Sequence, residues 1–149
     1  MDIIHTDDVS KSISPAKKGT PVAIGDVDFY PNGGILQPGC SLDDLDDLFK
    51  KMIKDGVREL RSCSPYRAID YYIESIANNS KCLHMAYECS SYEDFKAGHC
   101  GHYCNDEDHL CSEVGFRSNL YFNSMIKASR SEPIKLFYTT ARKKPFCCK

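Results

Sequence analysis

Between residues 41 and 60, apolar side chains recur every three or four positions: Leu42, Leu45, Leu48, Phe49, Met52, Ile53, Val57 and Leu60. That period puts them on one face of a helix. Ser41 with Asp44 gives a capping-box-like start, with aspartate in place of the usual glutamate. Asp43, Asp44, Asp46 and Asp47 precede Lys50, Lys51 and Lys54. The order suits the helix dipole and allows Asp46–Lys50 and Asp47–Lys51 pairs. Gly56 weakens the last turns by about 1 kcal/mol relative to alanine. A second helix is predicted over about 64–77, with Ile69, Tyr72, Ile73 and Ile76 on one face. Ser64 suits its N-cap, and Pro65 its first position, where a missing N–H costs nothing.

Strand patterns flank the helices. Ile3-Ile4 reads as a strand end before the polar His5-Thr6-Asp7-Asp8. Residues 10–21 are rich in Ser, Pro and Lys and read as loop. Val22 to Tyr30 alternates only partly, but its β-branched and aromatic content predicts a strand, ended by Pro31-Asn32-Gly33-Gly34. Ile134 to Thr139 reads as a closing strand, followed by a basic tail ending in Cys147-Cys148-Lys149. Residues 80–115 are rich in Cys, His and Gly with little periodicity, and read as a cross-linked loop region. There is no internal repeat.

A length of 149 residues and 42% hydrophobic content fit one globular domain. The apolar runs fall short of the roughly 20 residues a membrane helix needs. A net charge of -2 gives no reason to expect nucleic acid as a partner. The nine cysteines change the picture more. Their density favours an oxidising compartment and a disulfide framework, and the odd count leaves at least one thiol free or bonded to another chain. The N-terminal MDIIHTDDVSKS, however, has no apolar signal-peptide core. Either export is unconventional or the native start lies upstream of Met1. Asn78-Asn79-Ser80 forms a glycosylation sequon at Asn78.

A Gly-x-Ser-x-Gly elbow, a P-loop and a dinucleotide glycine pattern are all missing from these residues. Gly33-Gly34 reads as a turn. The run His99-Cys-Gly-His-Tyr-Cys-Asn-Asp-Glu-Asp-His-Leu-Cys111 contains zinc's preferred ligand types. Its spacing lacks a second Cys-x2-Cys knuckle, which favours disulfides over metal. A small zinc-binding module over residues 99–111 stays open as an alternative. His5 and His84 each read as surface or hydrogen-bonded side chains. The helix bracketed by Cys40 and Cys63 has two readings. It packs on a core, or it is a tethered flap that lifts and shows its apolar face to lipid. A disulfide closing that loop stabilises by about 3 kcal/mol in the chain-entropy model.

Taken together, Ile3-Ile-His-Thr-Asp7, Gly25-Asp-Val-Asp-Phe-Tyr-Pro-Asn-Gly-Gly34 and Gln37-Pro-Gly-Cys40 resemble the animal pancreatic-type triacylglycerol lipases and phospholipases A1. Cys63-Ser-Pro-Tyr-Arg67 leading into Tyr71-Tyr72-Ile-Glu-Ser-Ile76 continues the match. So do the successive cysteines Cys89, Cys100, Cys104 and Cys111, then Leu136-Phe-Tyr-Thr139 and Pro145-Phe146. The match is collinear and covers nearly the whole chain, residues 1–149 as one partial domain.

The resemblance implies the C-terminal half of an α/β-hydrolase (lipase) domain, with a lid loop at 40–63 and a disulfide-rich segment at 80–115. It pairs Cys40 with Cys63, Cys89 with Cys100 and Cys104 with Cys111. Cys82, Cys147 and Cys148 lie outside that pattern, and Cys82 is expected to pair with one of the tail cysteines. Leu45, Leu48, Phe49, Met52 and Ile53 become the lipid-facing or groove-covering side of a lid. The family's triad serine and aspartate, and its calcium loop, lie before the His-Thr-Asp segment and have no counterpart in these residues. Its triad histidine sits in a Cys-x-His-x-Arg setting, where Cys63 and Arg67 match and Pro65 fills the histidine slot. Proline has no ring nitrogen to take a proton. The chain is therefore expected to be an extracellular lipase-family protein without hydrolytic competence, meeting lipid or a lipid–water interface through its lid helix. No cofactor and no metal are implied. A fragment of an active triacylglycerol lipase or phospholipase A1 is the rival reading. Half of such a domain exposes the edge of its parallel sheet, so a protein chain covering that edge is also expected.

Overall fold

The computed structural model describes residues 1–8, 19–20, 22–40, 58–77, 82–100, 104, 110–121 and 131–147, with backbone alone for 58–62. Residues 41–57 of the helix predicted over 41–60, with the lid residues Leu45, Leu48, Phe49, Met52 and Ile53, and the sequon Asn78 lie outside the described residues, while 58–60 are helical.

The strands are β1 (Asp2–Ile4), β2 (Val27–Pro31), β3 (Met85–Glu88), β4 (Cys111–Glu113) and β5 (Ile134–Tyr138). They form one sheet in the order β1-β2-β5-β3-β4. β1, β2 and β5 run parallel, with Ile4 opposite Phe29 and Phe29 opposite Leu136. β3 lies antiparallel to both β5 and β4. The helices are α1 (Arg58–Ile76) and the short α2 (Tyr92–Lys96).

An interior position between β1 and β5 explains why β2 is buried at every residue. Val27 and Phe29 face one side, where they join Ala86, Val114, Ile134, Leu136 and Tyr138 in the main apolar cluster, with Ile4, Leu110 and Tyr121 packed against it. The period of two sends Asp28 and Tyr30 to the other side. There the rings of His5, Tyr30, Phe137, Tyr92 and Phe95 stack in a row, His5 on Tyr30 at 4.4 Å and Tyr30 on Phe137 at 5.4 Å.

Several boundaries differ from the sequence pattern. The predicted strand over 22–30 begins only at Val27, and Val22 and Ile24 are exposed. The N–H groups of Ile24 and Gly25 turn onto the Asp28 carboxylate at 3.3 and 2.9 Å, which takes them out of the ladder. α1 begins at Arg58, so Pro65 lies inside the helix and not at its first position. Ser64 does not cap a helix start either; its Oγ accepts the Gln37 N–H at 3.1 Å.

The face of α1 also differs. Ile69, Tyr72, Ile73 and Ile76 are between 45% and 55% exposed, whereas Tyr71 is fully buried. The row turned inward is Ser64, Arg67, Tyr71 and Glu74: Ser64, Tyr71 and Glu74 hydrogen-bond to residues of other elements, and Arg67 lies over the Phe146 ring with its Nε buried and without a hydrogen-bond partner. Residues 80–115 hold more than loop, since β3, α2 and β4 lie within them. Strands of three and four residues are too short to show alternation. α2 had a capping signal, however: Ser91 Oγ accepts the Asp94 N–H at 3.1 Å.

Candidate functional site

The parallel strands end together, and polar side chains gather at their carboxyl ends, where open α/β sheets place their ligands. After β1, His5, Thr6 and Asp7 are all buried. His5 Nε2 lies 2.5 Å from Asp28 Oδ1, and its Nδ1 is 2.8 Å from the Thr20 carbonyl. Asp28 also accepts from the Gly25 N–H, so its carboxylate is used up as a structural anchor.

After β2, the chain turns sharply through Asn32, Gly33 and Gly34, with φ of 53°, 79° and 73°. Only asparagine and glycine take such positive φ readily, which explains the Asn-Gly-Gly run. The turn presents Asn32 to a buried network. Asn32 Nδ2 donates to Gln37 Oε1 at 2.9 Å and to Thr140 Oγ1 at 2.8 Å. The Thr140 N–H returns a bond to Asn32 Oδ1 at 3.1 Å. Gln37 Nε2 donates to the Pro31 carbonyl at 3.0 Å. The Tyr71 hydroxyl, from α1, donates to Gln37 Oε1 at 3.1 Å and meets Thr140 Oγ1 at 3.1 Å. Burial raises the Tyr71 phenol above its ordinary value, against the opposing pull of the Thr140 hydroxyl and the Arg67 guanidinium. Tyr71 is thus a neutral donor at any physiological pH.

Pro65 sits on the same helix, one residue beyond Ser64, whose hydroxyl is fixed to the Gln37 backbone. Cys63, two residues before Pro65, is bonded to Cys40. Arg67 lies with its guanidinium over the Phe146 ring at 4.5 Å and 3.5 Å from Asp70. Three further disulfides join Cys82 to Cys147, Cys89 to Cys100 and Cys104 to Cys111. The last two tie up the thiols that a zinc site over 99–111 needs as thiolates.

Further along α1, Glu74 accepts the N–H groups of Phe146 and Cys147, each at 3.0 Å. His84 Nε2 stands 3.4 Å from Glu74 Oε1. Burial pushes the His84 imidazole below its ordinary value, while the Glu74 carboxylate pulls it the other way. Each histidine of the described residues therefore faces a carboxylate: His5 Asp28, His84 Glu74, and the exposed His99 Asp94. None of these contacts prepares a hydroxyl or thiol nucleophile. Sequence reasoning missed Asn32, Gln37, Thr140 and Glu74, because isolated polar residues far apart in the chain carry no periodic signal. His84 had only its residue type.

A family model described as Lipase matches residues 1–146. The chain belongs to the Lipase family. It is 34% identical to "Inactive pancreatic lipase-related protein 1" of Mus musculus over 98% of its length, and 33% identical to "Lipase member H-B" of Xenopus laevis over 99%. "Pancreatic lipase-related protein 2" of Bos taurus is 37% identical over 77% of the chain. The chain spans only 29%, 28% and 26% of these three curated relatives. Its mixed sheet and four disulfides are those of a partial lipase domain of the α/β-hydrolase class. The stretch from Cys63 to Arg67 offers a helical proline, a serine engaged with backbone and an arginine stacked on a ring.

Proposed function

We propose that this lipase-family chain has no hydrolytic competence and acts by binding at a lipid–water interface. The observation that carries the reading is Pro65. It occupies the histidine slot of the Cys-x-His-x-Arg pattern, inside a helix whose neighbouring hydroxyl, Ser64, is held by Gln37. A pyrrolidine ring neither accepts nor donates a proton, so a serine placed opposite it stays a neutral, weak nucleophile. The inactive label carried by one relative's printed name agrees with this reading. Residues 1–149 form one partial domain, with 40–63 as its lid loop, 80–115 as its cross-linked segment and Asn78 glycosylated. Leu45, Leu48, Phe49, Met52 and Ile53 supply the lipid-facing side of the lid. Four disulfides favour an extracellular setting.

A second reading takes the chain as a fragment of an active triacylglycerol lipase or phospholipase A1; what supports it is that the chain spans only 28% and 26% of two relatives whose printed names carry no inactive label. A serine-directed phosphonate probe separates the two on the longest form of the protein isolated from its source. The inactive reading expects no covalent label after long exposure, because the probe reports a base-activated serine. Stoichiometric labelling establishes the active reading instead.

A further inference from the structure

The carboxylate of Glu74, the imidazole of His84 and the sulfur of Cys147 converge at the C-terminal end of α1, with one ligand atom of each within 4.8 Å of the others. None of them belongs to the network around Gln37 or to the Pro65 slot. The His84 side chain is only 3% exposed, and its Nε2 is buried without a hydrogen-bond partner. It points at Glu74 Oε1 from 3.4 Å, close enough for electrostatic attraction but outside hydrogen-bond geometry. A buried nitrogen left in that condition is destabilising, so the position needs a reason.

Coordination geometry supplies one. Zinc binds oxygen and nitrogen at about 2.0–2.2 Å, and two such ligands at a tetrahedral angle stand about 3.3–3.5 Å apart. The 3.4 Å between His84 Nε2 and Glu74 Oε1 fits that edge. A nitrogen and a sulfur on the same ion stand about 3.6 Å apart, so a sulfur within 4.8 Å needs to close by at most about 1.2 Å. Glu74 is already oriented by the two backbone N–H groups it accepts, which leaves lone pairs for a cation. Cys82 lines the same small cleft as Glu74 and His84, beside Leu83, Glu113 and Arg117.

In the disulfide, neither sulfur carries the charge a metal needs. We propose that opening Cys82–Cys147 converts this cross-link into a zinc site made of Glu74, His84 and Cys147. A dithiol reductant gives two electrons and two protons to the S–S bond and becomes a cyclic disulfide, leaving two thiols. Zn²⁺ then displaces the proton of the Cys147 thiol and binds that thiolate with the imidazole and the carboxylate, water completing the tetrahedron. The segment before β3 and the tail after β5 stay joined in both states, by a covalent bond in one and by the metal in the other. This disulfide lies outside the three pairs of the family pattern, so the site belongs to this chain's own cysteines.

Cobalt tests the site, because Co²⁺ takes the same ligands and shows a sulfur-to-metal absorption band when thiolate binds. The chain carrying Cys82→Ser and Cys148→Ser frees Cys147 with the other disulfides intact. The expected result is one Co²⁺ per chain with the thiolate band, displaced by Zn²⁺. Affinity should fall at least tenfold on adding His84→Gln or Glu74→Gln, and the oxidised wild-type chain should show no band. If Cys82→Ser fails to fold, the same titration is run on wild-type chain in which a limiting dithiol has opened Cys82–Cys147, verified by peptide mapping. Absence of the band, or an affinity indifferent to both substitutions, overturns the proposal.

Discussion

A proline within α1 leaves the carbonyl four residues earlier without its N–H partner, and in a helix interior it costs about 3 kcal/mol relative to alanine. Pro65→Ala is therefore expected to stabilise the chain by up to about 3 kcal/mol in urea unfolding. A start at Ser64, as the local pattern suggested, predicts little change or a loss. Nearby, Tyr71 donates into the Gln37–Thr140–Asn32 network. Tyr71→Phe leaves Gln37 Oε1 and Thr140 short of a partner and should cost about 1–3 kcal/mol by the same measurement. The resemblance to lipases singled out Pro65 and Cys63. It did not mark the network, whose members Asn32 and Thr140 are 108 residues apart and meet only because β2 and β5 are neighbours.

At the scale of elements, strand identity was readable where β-branched and aromatic residues cluster, as in β2 and β5, but the burial of α1 was not. Periodicity singled out Ile69, Tyr72, Ile73 and Ile76, yet the sheet accepts the polar row of Ser64, Arg67, Tyr71 and Glu74. Hydrogen-bond partners at the strand ends, together with ring packing of Tyr71 on Phe146 and Tyr138, outweighed the apolar stripe. Paired lysines at positions 69 and 73 should accordingly change stability by less than about 0.5 kcal/mol, whereas Phe29→Ala in the central strand should cost about 3–5 kcal/mol. Thermal and urea unfolding of the two variants side by side checks the contrast. Opposite outcomes place the stripe in the core.

For the molecule as a whole, the parallel arrangement and the lipase-domain class were legible in the collinear motifs, while the antiparallel pair of β3 and β4 was hidden by the shortness of its strands. β1 is the edge of the sheet formed by the described residues. An open parallel edge recruits another chain, so the isolated chain should sediment as oligomers or aggregate. A monodisperse monomer with sharp, reversible unfolding contradicts that. Stability should also fall in alkali. Burial, with Asp28 and Asp8 adding to it, holds the Tyr30 phenol above its ordinary value of 10.0, so the native state keeps a proton that the unfolded chain releases. That contribution is full below pH 10 and is lost progressively as pH rises beyond it. The most direct test of the central claim is hydrolysis of a soluble short-chain ester by the longest natural form of the protein. The proposal that Pro65 fills the base position predicts a rate equal to that of buffer alone. Sustained turnover that a serine-directed inhibitor abolishes contradicts it.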